Sequence, residues 1–170
     1  KYPDLVAHQI ARDGIVLITN TANPIPSLTL EQIRNIYGGN ITNWKDVGGK
    51  DAPIVVVGRD SASGTREFFY TEVMKKTDFI RTQLEKNSNG AVKQTIEQTP
   101  DAIGYVGLGY IDPGVHAVPL SVSGGLVTPG IETVKAGTYP ISRSLHFLTK
   151  GTPTGDAAEF TSSLNFDRRI

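Results

Sequence analysis

The sequence predicts an α/β fold, and three observations carry that prediction. Strand-length apolar runs, Ile15-Val16-Leu17-Ile18 and Pro53-Ile54-Val55-Val56-Val57, alternate with segments of helical periodicity. After Pro53 the second run is apolar and β-branched throughout, as in strands covered on both faces. With 18 glycines and 10 prolines in 170 residues, the elements must be short and joined by tight turns. The length admits one domain or one modest two-lobed unit.

Each element has its own signal. Gly14 precedes the strand Ile15–Thr19, and Asn23-Pro24-Ile25-Pro26 forms a loop because proline blocks both ladder and helix. Thr29 caps the next helix, Gln32 completes a capping box, and Leu30, Ile33, Ile36 and Tyr37 share one face before Gly38-Gly39 ends it. Trp44 sits in a short polar segment before Gly48-Gly49. A helix follows the Gly58–Arg66 segment, with Phe69 and Val73 one turn apart and Lys75-Lys76 at its C-terminal end. Ser88-Asn89-Gly90 opens another, which carries Val92 and Ile96 and stops at Pro100. Ile103–Val106 and Val115–Val122 read as strands. Thr128-Pro129 opens a short helix with proline at its first position and Gly137 past its end. Leu145, Phe147 and Leu148 mark a strand, and Ala157, Phe160 and Leu164 mark a final helix.

Composition removes several functions. Lys plus Arg and Asp plus Glu are both 17, so the chain has no basic excess for general nucleic-acid binding. It has no cysteine, which excludes disulfides, zinc–thiolate sites and a cysteine nucleophile. No apolar run approaches the roughly 20 residues that span a bilayer. Lys1-Tyr2-Pro3-Asp4 does not read as a signal peptide, which fits a soluble chain or one whose targeting segment precedes it. His8, His116 and His146 are scattered, without metal-ligand spacing and with none beside a serine-rich turn. No cofactor is implied.

One segment carries chemistry. Arg59-Asp60-Ser61-Ala62-Ser63-Gly64-Thr65-Arg66 joins a strand to a helix. The first N–H groups of a helix lack intrahelical acceptors and sit at the positive end of its dipole, so such a turn suits an anion. Ser61, Ser63 and Thr65 add hydroxyl donors, and Gly64 lets a ligand approach the backbone. Arg66 in the first turn opposes the dipole, which an anion between it and the helix end would relieve. A plain Ser63 cap with a solvated Arg66 explains the same residues, but two arginines flanking three hydroxyls favour the anion site. The segment is neither a GxxxxGK[ST] phosphate loop nor a GxSxG nucleophile elbow.

At these residues the chain resembles the phosphate-binding proteins of phosphate ABC importers, the PstS-like periplasmic binding proteins. The resemblance takes in Ile10-Ala11-Arg12-Asp13-Gly14-Ile15-Val16, Leu30-Glu31-Gln32-Ile33, Ile36-Tyr37-Gly38-Gly39, Ile41-Thr42-Asn43-Trp44 and Arg59 to Arg66. It continues through Ala102-Ile103-Gly104-Tyr105-Val106 and Tyr139-Pro140-Ile141-Ser142-Arg143. Ser63-Gly64-Thr65, about 20 residues after Asn43-Trp44, is its most specific part.

The resemblance implies a type II, two-lobed α/β binding protein that closes on phosphate by hinge motion. It implies that Ser63, Gly64 and Thr65 donate to phosphate oxygens, that Arg59 supplies charge and holds the loop, and that Arg66 faces the same anion. Ser61 stands where some members carry an aspartate, so sulfate, molybdate or tungstate stay open as ligands. Members also begin with a strand and a Gly-Ser-Thr loop that donate the other half of the site. This chain starts beyond that part, so the expectation is a complete lobe over 17–112 and a partial lobe from 1–16 and 113–170. The return crossing is placed near Asp112-Pro113, with Tyr139 to Thr149 as second choice. The implied role is substrate capture for membrane permease subunits outside the cytoplasm, with no catalysis. A lipid anchor on a preceding segment is compatible with that role, and an uncovered edge in the partial lobe admits a homodimer. A sensing or adhesion domain without a transporter is the alternative from another class.

Overall fold

The structure, a computed structural model, describes residues 4–163. The strands are β1 (Leu5–Asn20), β2 (Val55–Arg59), β3 (Leu84–Lys86), β4 (Ala102–Gly107), β5 (Val115–Ala117), β6 (Leu120–Val122), β7 (Gly125–Val127) and β8 (Ser142–Lys150). The helices are α1 (Leu30–Gly38), α2 (Gly64–Glu72), α3 (Asn89–Gln98), α4 (Ile131–Lys135) and α5 (Asp156–Ser163). The chain divides into two compact units, one of residues 14–141 and one of residues 1–13 with 142–170. Among the described residues no helix is long and apolar enough to cross a membrane.

The 14–141 unit is built on a mixed sheet in the order β3-β2-β4-β1-β5. β2 runs parallel to β3 and β4, while β1 is antiparallel to β4 and β5. Helices cover both faces. On one, Gly104 lets α3 lie so close that a Cβ there would stand 2.7 Å from Val92. On the other, Tyr105 stacks on Phe69 of α2 with centroids 4.1 Å apart and meets Tyr37 of α1. Every buried apolar side chain among the described residues lies between Ile15 and Ile141.

Local signals explain several boundaries. Thr29 and Gln32 form the expected capping box, and Gly39 ends α1 at φ 84°. Trp44 is fully buried in a short 3-10 turn, its indole N–H donating to the Asp101 carbonyl. Other expectations are corrected. The strand expected at Val115–Val122 is broken into β5 and β6 around Pro119, and β6 pairs with β7 instead. Pro129 lies outside α4, whose cap is Gly130. Lys75 and Lys76 lie beyond α2 at positive φ, 52° and 64°. β3 and β7 are too short to carry a recognisable alternation. Leu164 lies outside the described residues.

The 14–141 unit is larger than the 17–112 segment expected as a complete lobe. β5 stays with it because Val115, His116 and Ala117 pair with Asn20, Thr19 and Ile18 of β1. Leu28 bridges to Leu120, and Ile15 donates to the Ile141 carbonyl, which binds the later elements to the same core. The division at 141–142 falls in the second-choice segment for the return crossing.

In the smaller unit β8 pairs with β1, Arg143 bridges Asp13 at 3.2 Å, and His8 hydrogen-bonds Thr149 at 2.9 Å. Phe160 of α5 packs edge-on against Phe147 of β8. Leu5, Val6, Leu145, Phe147, Leu148 and Phe160 all remain exposed.

Candidate functional site

The parallel strands β2 and β3 pair in register Val57 with Leu84, Gly58 with Glu85 and Arg59 with Lys86. Their carboxyl ends therefore lie side by side, and each leads through a short turn into a helix. Ligands of open α/β sheets bind outside such carboxyl ends. The two helices begin alike: Ser63 Oγ accepts the Arg66 N–H and Ser88 Oγ accepts the Ala91 N–H. The first turn is tight, since Asp60 accepts from Ala62 through its carboxylate and from Ser63 through its carbonyl.

Arg59 ties the two turns together. Its guanidinium donates to the Lys86 carbonyl at 3.2 Å, to Asn89 Oδ1 at 3.3 Å and to the Asn87 carbonyl at 3.2 Å. All three acceptors are neutral, and no carboxylate pairs with Arg59 among the described residues. Its backbone N–H donates to the Tyr105 hydroxyl at 3.3 Å. Burial pushes the Tyr105 hydroxyl up to about 12, partly offset by the N–H of Arg59 and the nearby arginine charges.

The expected site residues are placed as follows. Ser63 is buried at the helix cap, Ser61 is exposed in the turn, and Thr65 is half-buried in the first turn of α2. A Cβ added to Gly64 would meet no atom within 4 Å beyond its chain neighbours and its own helix backbone, and its φ is not positive. Neither packing nor backbone conformation therefore demands glycine at this position.

Arg66 departs from expectation. Its guanidinium lies over the Phe79 ring at 5.0 Å and pairs with Glu85 at 3.6 Å. It lines a cavity of about 690 Å³ on the flank of α2, with Tyr70, Phe79, Arg81, Gln83 and Glu85, and Ser63, Gly64 and Thr65 are not part of that lining. An aromatic face and a carboxylate thus partner this cation in the structure, while its Nε is buried without a hydrogen-bond partner among the described residues. Asn89 and Tyr105 were not singled out from sequence. Asn89 read as a helix start and Tyr105 as a strand residue, and only the folded chain brings both to Arg59.

Residues 2–164 match the family described as PBP superfamily domain. The phosphate-binding protein PstS of Bacillus subtilis is 38% identical over 161 residues, which cover 94% of this chain and 52% of that protein. A solved ABC-type phosphate transport receptor from Vibrio cholerae superposes with TM-score 0.83 at 31% identity, covering 96% of this chain and 68% of that one. The PstS structure of Borrelia burgdorferi gives TM-score 0.77 at 28% identity, covering 95% and 66%. The chain spans about half the length of the curated relatives it matches.

Proposed function

This chain belongs to the PBP superfamily, and from that premise we propose that it binds inorganic phosphate as part of the substrate-binding component of an ABC importer. The observation that carries the reading is Arg59. A guanidinium held only by neutral oxygens keeps its full charge, and it sits where two parallel strands deliver two helix N-termini. Phosphate would be met by this charge, by donors of the Ser63-Gly64-Thr65 turn and by the exposed Ser61 hydroxyl. The space over Gly64, open beyond its own helix and chain neighbours, supports a ligand approaching the turn. Arg66, held by Phe79 and Glu85 on the flank of α2, makes no direct contact with the anion in this reading. The relatives are phosphate-binding proteins and phosphate transport receptors, which supports capture and delivery to permease subunits on the extracytoplasmic side of the membrane as the role. The two compact units would be the two lobes, the smaller one partial. Homodimer formation through that unit and a lipid anchor are compatible additions.

A half-site leaves the anion partly in water, where each charge-assisted contact is weakened by solvent and salt. The chain alone is therefore expected to bind phosphate weakly. Calorimetric titration with phosphate, with sulfate as competitor, tests this. Weak binding that excess sulfate does not displace supports the reading. Displacement by sulfate moves the ligand to another oxyanion, and submicromolar affinity removes the half-site argument. No heat at millimolar phosphate overturns the function for this chain.

A further inference from the structure

Asn89 is the only side chain among the three acceptors that hold the Arg59 guanidinium. Its Oδ1 also accepts the Gly107 N–H at 3.4 Å. Because both neighbours are donors, the atom that faces them must be the amide oxygen. The residue opens α3, directly after the Ser88 cap, and the first turn of α3 contains no acidic residue.

Local energetics favour a different residue here. An aspartate at 89 would complement the positive end of the α3 dipole and would give Arg59 a charge-assisted partner in place of a neutral one. It is nearly isosteric with asparagine and accepts from the same two donors. The amide forgoes both gains. Where a residue works against the stability of its own helix, function is the usual reason.

We propose that Asn89 is a positioning residue of the anion site: it fixes the Arg59 guanidinium at the carboxyl end of β2 while leaving its positive charge unneutralised for the ligand. The proposal rests on the phosphate-binding reading above. It makes the neutrality of position 89, and not only its shape, a condition of anion affinity.

The test titrates inorganic phosphate into the full chain and its Asn89→Asp and Asn89→Ala variants, with thermal midpoints in phosphate-free buffer. Asn89→Asp is expected to weaken phosphate binding at least about tenfold, while the midpoint holds or rises. Asn89→Ala loses one tether but keeps the charge of Arg59, and is expected to weaken binding only about two- to threefold. A stability gain joined to an affinity loss is a signature that a structural residue would not give. Phosphate affinity unchanged in Asn89→Asp overturns the proposal, as does a loss in Asn89→Ala equal to or greater than that in Asn89→Asp. Absence of binding by the unsubstituted chain is a separate failure, of the phosphate reading itself.

Discussion

The two compact units spend their apolar residues differently. In residues 14–141 a sheet is covered on both faces, and Trp44, Tyr37, Tyr105, Tyr139 and Phe69 are all fully or almost fully buried. In residues 1–13 with 142–170, a strand pair and one short helix expose Leu5, Val6, Leu145, Phe147, Leu148 and Phe160. The sequences of both regions are apolar enough to make strands. What differs is the number of layers each strand meets, and burial requires a layer on each side. The candidate site and the core share the larger unit, where the aromatic stack runs from α1 and α2 to the Tyr105 hydroxyl bonded to the Arg59 N–H.

The comparison is broken most directly by paired truncations. Phe69→Ala is expected to cost about 3–5 kcal/mol, since it empties a site between Tyr37 and Tyr105. Phe147→Ala, at a position 39% exposed, is expected to cost about 1 kcal/mol, mainly its contact with Phe160. Chemical denaturation of both variants checks this, and equal losses would end the contrast.

Alkaline pH should act on the larger unit next. The hydroxyls of Tyr37, Tyr105 and Tyr139 are all pushed above the ordinary tyrosine value by burial. A group with a raised folded value contributes stability that is intact below the unfolded value and lost as pH rises through the folded one. For Tyr105 the window runs from 10.0 to about 12, and the loss across it is about 3 kcal/mol. Tyr37 and Tyr139 add in the same direction. Unfolding free energies measured from pH 8 upward should stay level to about 10 and then fall. A flat profile beyond that point would contradict the burial of these hydroxyls.

Two further substitutions ask whether anion binding resides wholly in the larger unit. Arg59→Ala should lose about 1.5–3 kcal/mol of phosphate affinity through the charge-assisted contact, read by calorimetry, while Phe147→Ala leaves affinity unchanged. Arg66→Ala is the smallest effect. It removes a cation–π contact over Phe79 and a loose pair with a half-exposed Glu85, which is about 0.5–1 kcal/mol of stability. Phosphate affinity should change less than twofold. An affinity loss equal to that of Arg59→Ala would return Arg66 to the anion.

Much of the fold was legible in the chain. The capping box of α1, its Gly39 stop, the β-branched β2 and the helix after Ser63 are local patterns, and local patterns survive folding. β3 and β7, of three residues each, were invisible because their pairing partners supply the reason for their existence. The candidate site divided in the same way. Arg59 and the Ser63 cap could be read from one continuous segment. Asn89 and Tyr105 reach Arg59 from 30 and 46 positions away, so no motif in the segment could announce them.

Arg66 marks the boundary most clearly. By itself the sequence determined that a cation sits in the first turn of α2, against the helix dipole, where a partner or solvent must offset it. Whether that partner is an external anion or the Phe79 face and Glu85 depends on which surface the helix turns toward its neighbours. Only the tertiary structure supplies the Phe79 face and Glu85 as partners, because side-chain direction around a helix is set by packing against distant residues, which residue order along the chain leaves open.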